Sequence, residues 1–331
     1  MNSPSDPRVR LHVVTGKGGA GKTTVAAALA LALTARGQRV LLVEVEGRQG
    51  ISQAFDVAPL GTSERLLVTD PSGGELLGLA VDAKSALLEY LQKFYKLGRA
   101  GTVLEKVGAV DFATTIAPGV RDVLLIGKVY EAVGRRTKGA KKRPVYDAVV
   151  LDAPPTGRIA RFLAVNSEVS EVARVGPVRN QADSITRLLQ SPSTAVHVVT
   201  LLEEMPVQET RDAIAELGDL SLRVGSVIVN GRRPSLLTED QAATITEETS
   251  GVRDSLAAAL GAVDIKAGPA MVTGLLQEGT DHVLRTRLQA EQSEVLADLP
   301  VPVHTLPHLP EGVESGGLRL LADTLDEQGG V

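Results

Sequence analysis

The sequence has no cysteine and no tryptophan, and its aromatic rings are four tyrosines and four phenylalanines among 331 residues. Without cysteine there is no disulfide framework, no cysteine-ligated zinc, no iron–sulfur cluster and no thiol nucleophile. That usage is compatible with a reducing compartment, and a cytoplasmic location is expected. Few aromatics leave few platforms for stacking bases, and a net charge of −5 supplies no basic field for a nucleic-acid backbone. No nucleic-acid partner is expected. Long hydrophobic runs are also missing. The most apolar helical stretch, 25–35, is too short to cross a bilayer. The first nine residues are rich in Ser, Pro, Asp and Arg and lead into no signal-type apolar run. What is present is 43% hydrophobic and 23% charged residues, enough for one large α/β domain or two small ones.

The order of apolar patterns is informative. Residues 8–15 read as a strand, followed by a Gly-rich turn and an Ala/Leu helix over about 22–36 that Gly37 ends. Val40 to Val45 is an apolar run suited to a strand covered on both faces. Further strands are expected at 75–81, 145–151, 194–201, 224–229 and 302–306. Helices are expected at 82–95, 119–133 and 315–325. This alternation predicts an α/β doubly wound, mostly parallel sheet flanked by helices, in one domain over 1–331. The stretches 82–142 and 234–299 exceed what simple crossovers need and are expected to form a helical subdomain. A basic run, Arg135, Arg136, Lys138, Lys141, Lys142 and Arg143, reads as a solvated loop or as a contact for anionic lipid or an acidic partner.

The chemistry is concentrated at the first turn. Gly16-Lys17-Gly18-Gly19-Ala20-Gly21-Lys22-Thr23-Thr24 matches the phosphate-loop pattern G-x-x-x-x-G-K-[ST], with a strand before it and a helix after it. Glycines let successive backbone N–H groups turn inward around an anion, and the helix N-terminus adds its positive end. Lys22 suits the β- and γ-phosphates, and the Thr23 hydroxyl suits Mg²⁺. ATP or ADP with Mg²⁺ is the expected ligand set. Lys17 is a second lysine in the loop. It is either an ordinary solvated lysine or one placed to reach a γ-phosphate on a facing subunit. Asp152 ends the apolar strand Val149-Val150-Leu151, at the sheet edge where a Mg²⁺-holding carboxylate belongs, acting there through water; a turn aspartate is the alternative.

These motifs, with Asp152-Ala153-Pro154-Pro155-Thr156-Gly157-Arg158, resemble the arsenite-pump ATPase (ArsA) and tail-anchored-protein targeting ATPase family of deviant phosphate-loop NTPases. Pro206 to Thr210 is similar to the family's Leu-x-x-Glu-Thr helix start, and Pro118-Gly119 to its Pro-Gly loop. Val227 to Asn230 is similar to the strand whose Asn reads adenine. Leu306 to Glu311, with Leu309 and Pro310, is similar to its adenine-side loop. The similarity spans about residues 9–325. It implies an ATP-driven dimer that opens and closes with nucleotide state, with Lys17 acting across the interface. One loop per chain implies a second subunit, a like copy or a related ATPase chain, and a protein or membrane-protein client.

Departures from the family pattern shape the expectation. Its first switch is Asp-Pro-Ala-His-Asn, whose Asp orients the attacking water; the matching position here is Glu46, followed by Gly47-Arg48-Gln49-Gly50. Glu46 is either that catalytic carboxylate, displaced by a methylene and slower for it, or a structural acid. Without cysteine, neither metalloid handling nor a zinc-clamped dimer is expected. Only Met1, Met205 and Met271 are available for a methionine-lined client groove, although Val123, Leu124, Leu125, Val129 and Val133 offer an apolar face that reads either as core or as groove. The five histidines show no helical metal-binding pair. The expected function is therefore Mg²⁺-dependent ATP hydrolysis by a nucleotide-gated dimer. The alternative is a weakly or non-hydrolysing subunit paired with a catalytic relative. A membrane-positioning switch of the MinD/ParA kind is disfavoured, because the C-terminal leucines are flanked by acids rather than by a basic face.

Overall fold

The computed structural model describes residues 9–45, 47, 49–87, 89, 118–139, 141–164, 177–247, 251–313 and 315–330. Glu46, Arg48 and half of the expected helix at 82–95 lie outside these.

Eight strands form one sheet: β1 (Leu11–Gly16), β2 (Arg39–Glu44), β3 (Arg65–Thr69), β4 (Glu75–Ala80), β5 (Ala148–Asp152), β6 (Thr194–Thr200), β7 (Val224–Arg232) and β8 (Val303–Pro307). Their spatial order is β3-β4-β2-β5-β1-β6-β7-β8. All neighbours run parallel except β3, which pairs antiparallel with β4 at one edge. The central strands are buried on both faces, as their largely apolar sequences require. Period-2 alternation assigns the faces. Leu11, Val13, Leu41, Val43, Val149 and Leu151 pack into one core, and Val14, Val40, Leu42, Ala148 and Val150 into the other.

The second of these cores is covered by α1 (Lys22–Ala35) and by α10 (Ser315–Glu327), which packs along α1. The interhelical contact is close because α1 presents alanines: Ala26, Ala27, Ala28 and Ala30 are all fully buried. The first core is covered by α3 (Pro118–Gly134), α4 (Thr156–Leu163), α5 (Pro177–Leu189) and α6 (Glu204–Asp219). Val123, Leu124, Leu125, Val129 and Val133 of α3 are all buried here. They are core, and the groove reading of this face is set aside. A short helix, α2 (Gly50–Ala54), follows β2.

Between β7 and β8 lie α7 (Glu239–Thr246), α8 (Val252–Ala262) and the 29-residue α9 (Pro269–Ala297). Neither α7 nor α8 buries a residue, and both lean on α9. Only the far end of α9, through Leu296, joins a small core with Leu202, Val207, Val227 and Val229. Among the described residues no helix is long and apolar enough to cross a membrane.

The expected strand at 145–151 begins later, at Ala148. The residues before it belong to a basic hairpin: Val145 donates its N–H to the Arg135 carbonyl, Thr137 to Arg143, and Arg136 bridges Pro144 antiparallel. The edge strand β3 was not anticipated. It is half-exposed and its apolar residues are consecutive, so it carries no period-2 signal.

Candidate active site

The phosphate loop joins β1 to α1 at the C-terminal edge of the sheet. Gly16 is required by proximity: a Cβ there would lie 2.1 Å from the Val199 carbonyl oxygen of β6. Gly21 caps α1 in the left-handed region, with φ 85°. Gly18 and Gly19 are exposed, with open space where their side chains would be. The backbone N–H groups of this loop and the start of α1 are the groups that would hold an anion here. Lys22 is 9% exposed, and its Nζ donates to the Lys17 carbonyl at 3.4 Å, lying across the loop. Thr24 is half-buried on the first turn of α1.

Asp152 stands where the apolar run predicted, at the end of β5 beside β1, in register with Val14. The Thr23 hydroxyl donates to Asp152 Oδ2 at 2.6 Å. The two expected magnesium ligands therefore already touch, and their oxygen donor set is what a hard cation takes. Thr15, one residue before the loop, donates its hydroxyl to the Pro154 carbonyl at 2.7 Å, so the loops after β1 and β5 are tied together.

Asn230, at the end of β7, sits on the loop itself. Its Nδ2 donates to the Ala20 carbonyl at 2.9 Å, and a Cβ on Gly21 would approach that nitrogen to 2.2 Å. A pocket of about 410 Å³ opens beside it, lined by Leu201, Leu202, Arg233 and Leu288 among others. Leu309 and Pro310 are placed differently from one another. Pro310 is exposed, whereas Leu309 packs toward α10, where its Cδ1 would be 2.9 Å from a Cβ on Gly317. The described contacts thus gather Gly16 to Thr24, Asp152 and Asn230, and direct Leu309 to the core.

Two carboxylates were given no site role at the sequence level, Glu209 entering only as part of the Pro206–Thr210 helix start. Glu209 of α6 pairs with Lys17, Nζ to Oε1 at 2.8 Å, both side chains about one-third exposed (34% and 37%). Glu44 ends β2 in register with Asp152 and is 3% exposed. Its Oε1 accepts the Gln49 N–H at 2.7 Å and its Oε2 the Ile51 N–H at 3.1 Å. A signal for Glu44 did exist: it is a charge inside an otherwise apolar run, at the strand end nearest the loop.

A parallel sheet with a glycine loop between strand and helix, an invariant-type Lys-Thr at the helix start and a Thr–Asp pair at the next strand defines a phosphate-loop NTPase. Comparison with known proteins narrows the class. The model of the anion-transporting ATPase (ArsA) family matches residues 9–191. ATPase BagA of Mycobacterium tuberculosis is 52% identical over 321 residues, 97% of this chain and 94% of that protein. An arsenical pump-driving ATPase of Acidiphilium multivorum is 27% identical over 92% of this chain but only 52% of its own length. An ATPase ASNA1 homolog of Entamoeba dispar is 25% identical over 69% of this chain and 81% of its own. The chain belongs to the ArsA ATPase family.

Proposed function

We propose that this ATPase hydrolyses ATP with Mg²⁺ in a dimer that closes on nucleotide, and that closure is coupled to a protein or membrane-protein partner. The observation that supports the chemistry most directly is the Thr23–Asp152 hydrogen bond beside the glycine-rich loop. In this reading the N–H groups of residues 18–23 hold the β-phosphate, and Lys22 leaves the Lys17 carbonyl to bind the β- and γ-oxygens. Thr23 and, through water, Asp152 are the residues that would hold the ion. When bound, Mg²⁺ supplies charge neutralisation at the transferred phosphoryl group. Asn230 fixes the loop and borders the pocket for the base. Glu46 orients the attacking water, one methylene further out than the family's Asp.

Lys17 acts on the nucleotide of the facing subunit. Its pair with Glu209 is a partly exposed ion pair of the kind worth about 0.2–1 kcal/mol, so it holds the lysine weakly and yields to a phosphate. The test is turnover by the purified protein with Mg²⁺. Lys17→Ala is expected to lower kcat by about 10³ while ATP still binds, the size of effect seen for cationic fingers. Glu46→Gln is expected to abolish turnover. Unchanged turnover in either variant removes that residue from the mechanism.

A further inference from the structure

We infer that Glu44 is a positioning residue, the anchor through which the nucleotide site and the segment after β2 move as one unit. The inference builds on the ATPase reading but concerns residues with described positions. Side chains of even-numbered residues on β2 and β5 face α1, as Leu42 and Val150 do. Glu44 and Asp152, in register on adjacent strands, therefore lie on the same side of the sheet edge, beside Thr23.

Each carboxylate oxygen of Glu44 takes a different backbone N–H, Gln49 and Ile51, on the two sides of Gly50. Gly50 is held against the phosphate loop: a Cβ there would meet Thr23 Cγ2 at 3.0 Å and Oγ1 at 3.3 Å. The turn is fixed from its other side by Gln49. That residue adopts a left-handed conformation, φ 57° and ψ 24°, unusual outside glycine. Its amide exchanges two hydrogen bonds with the Leu60 backbone, 2.8 Å to the N–H and 3.1 Å to the carbonyl, and Ser52 Oγ donates to its carbonyl at 2.8 Å. Strain of this kind persists only where surrounding bonds over-determine it. A buried carboxylate that holds both sides of a turn pressed on Thr23 is an arrangement for coupling. A ligand drawing Thr23 toward phosphate shifts Gly50's support, and Glu44 carries that shift to residues 49–51.

The test is amide hydrogen exchange over residues 47–55, with and without a non-hydrolysable ATP analogue and Mg²⁺, alongside steady-state kinetics. In the wild type the analogue is expected to slow exchange at Gln49 and Ile51 by about tenfold or more. Glu44→Gln keeps the shape but turns an NH₂ toward one of the two donors. It is expected to abolish that nucleotide-dependent slowing and to lower kcat more than about tenfold, with KM within about threefold, the signature of lost positioning rather than lost binding. A helix-capping role alone would lower thermal stability and leave both the nucleotide response and kcat of the folded enzyme intact, which overturns the inference. If Glu44→Gln does not fold, Glu44→Asp keeps the charge but draws the carboxylate back by one methylene from the Gln49 and Ile51 N–H groups. The same loss of nucleotide-dependent protection supports the coupling, and retained protection overturns it. A wild type that never turns over ATP would contradict the proposed hydrolysis, whereas the exchange experiment judges Glu44 separately.

Discussion

Gly21 concentrates two constraints on one backbone position. It is left-handed at φ 85°, and its missing Cβ leaves room for the Asn230 amide that binds Ala20. Gly21→Ala therefore strains the backbone and displaces Asn230. We expect it to weaken nucleotide binding at least tenfold, or about 1.4 kcal/mol, by titration calorimetry. Asn230→Ala alone removes one hydrogen bond and should cost about 1 kcal/mol of stability in denaturant unfolding. Combining the two should recover part of the Gly21→Ala defect, since the clash goes and the strain stays. At this scale the phosphate loop and Asp152 were legible because spacing and residue type carry them. Lys17's counter-ion was not legible: Glu209 is 192 positions away, brought near only by the packing of α6. Glu44 was hidden in a different way, since an apolar run absorbs one charge without losing its strand pattern.

Among the elements, β1, β6, β7 and β8 share a feature with a measurable consequence. His12, His197, Ser226 and His304 lie on the face toward α1 and α10, and all are buried. His12 Nδ1 meets His197 Nε2 at 3.1 Å with the rings stacked, and His197 Nδ1 meets Ser226 Oγ at 2.8 Å. Burial, then the charge of Arg223, holds His12 down to about 4. Burial first, with its histidine neighbours and Arg223 adding to it, holds His197 well below the usual imidazole range. A histidine whose folded value is depressed stays neutral in the fold and takes a proton on unfolding. Its contribution is complete above about pH 6.5 and is lost as pH falls toward the folded value. Stability should thus drop by on the order of 2 kcal/mol from His12 alone between pH 7 and pH 5, with His197 adding in the same direction, read from denaturant midpoints at constant salt. The expectation that the histidines form no helical metal pair concerned spacing along one helix. Their meeting across the sheet needed strand register, which a sequence pattern does not carry. The same holds for β3, whose pairing with β4 depends on a neighbour rather than on its own periodicity. By contrast β1, α1, β2, β5 and β6 were legible, because buried parallel strands and an alanine-rich helix impose their composition locally.

At the scale of the whole molecule, the proposed function requires two chains, because in it each Lys17 completes the site of its neighbour. Two facing subunits related by a twofold axis would each lend Lys17 to the other. The central claim is tested by mixing two inactive variants, Lys17→Ala and Asp152→Asn, and measuring ATP hydrolysis with Mg²⁺. In a mixed dimer the Lys17→Ala chain keeps its own Asp152 and receives an intact lysine from its neighbour, so one of the two sites is whole. Random pairing at equal concentrations should then restore about a quarter of wild-type activity. If Lys17 served the nucleotide of its own chain, neither site of the mixed dimer would be complete. The mixture would stay as inactive as its parts, and that result would contradict the account.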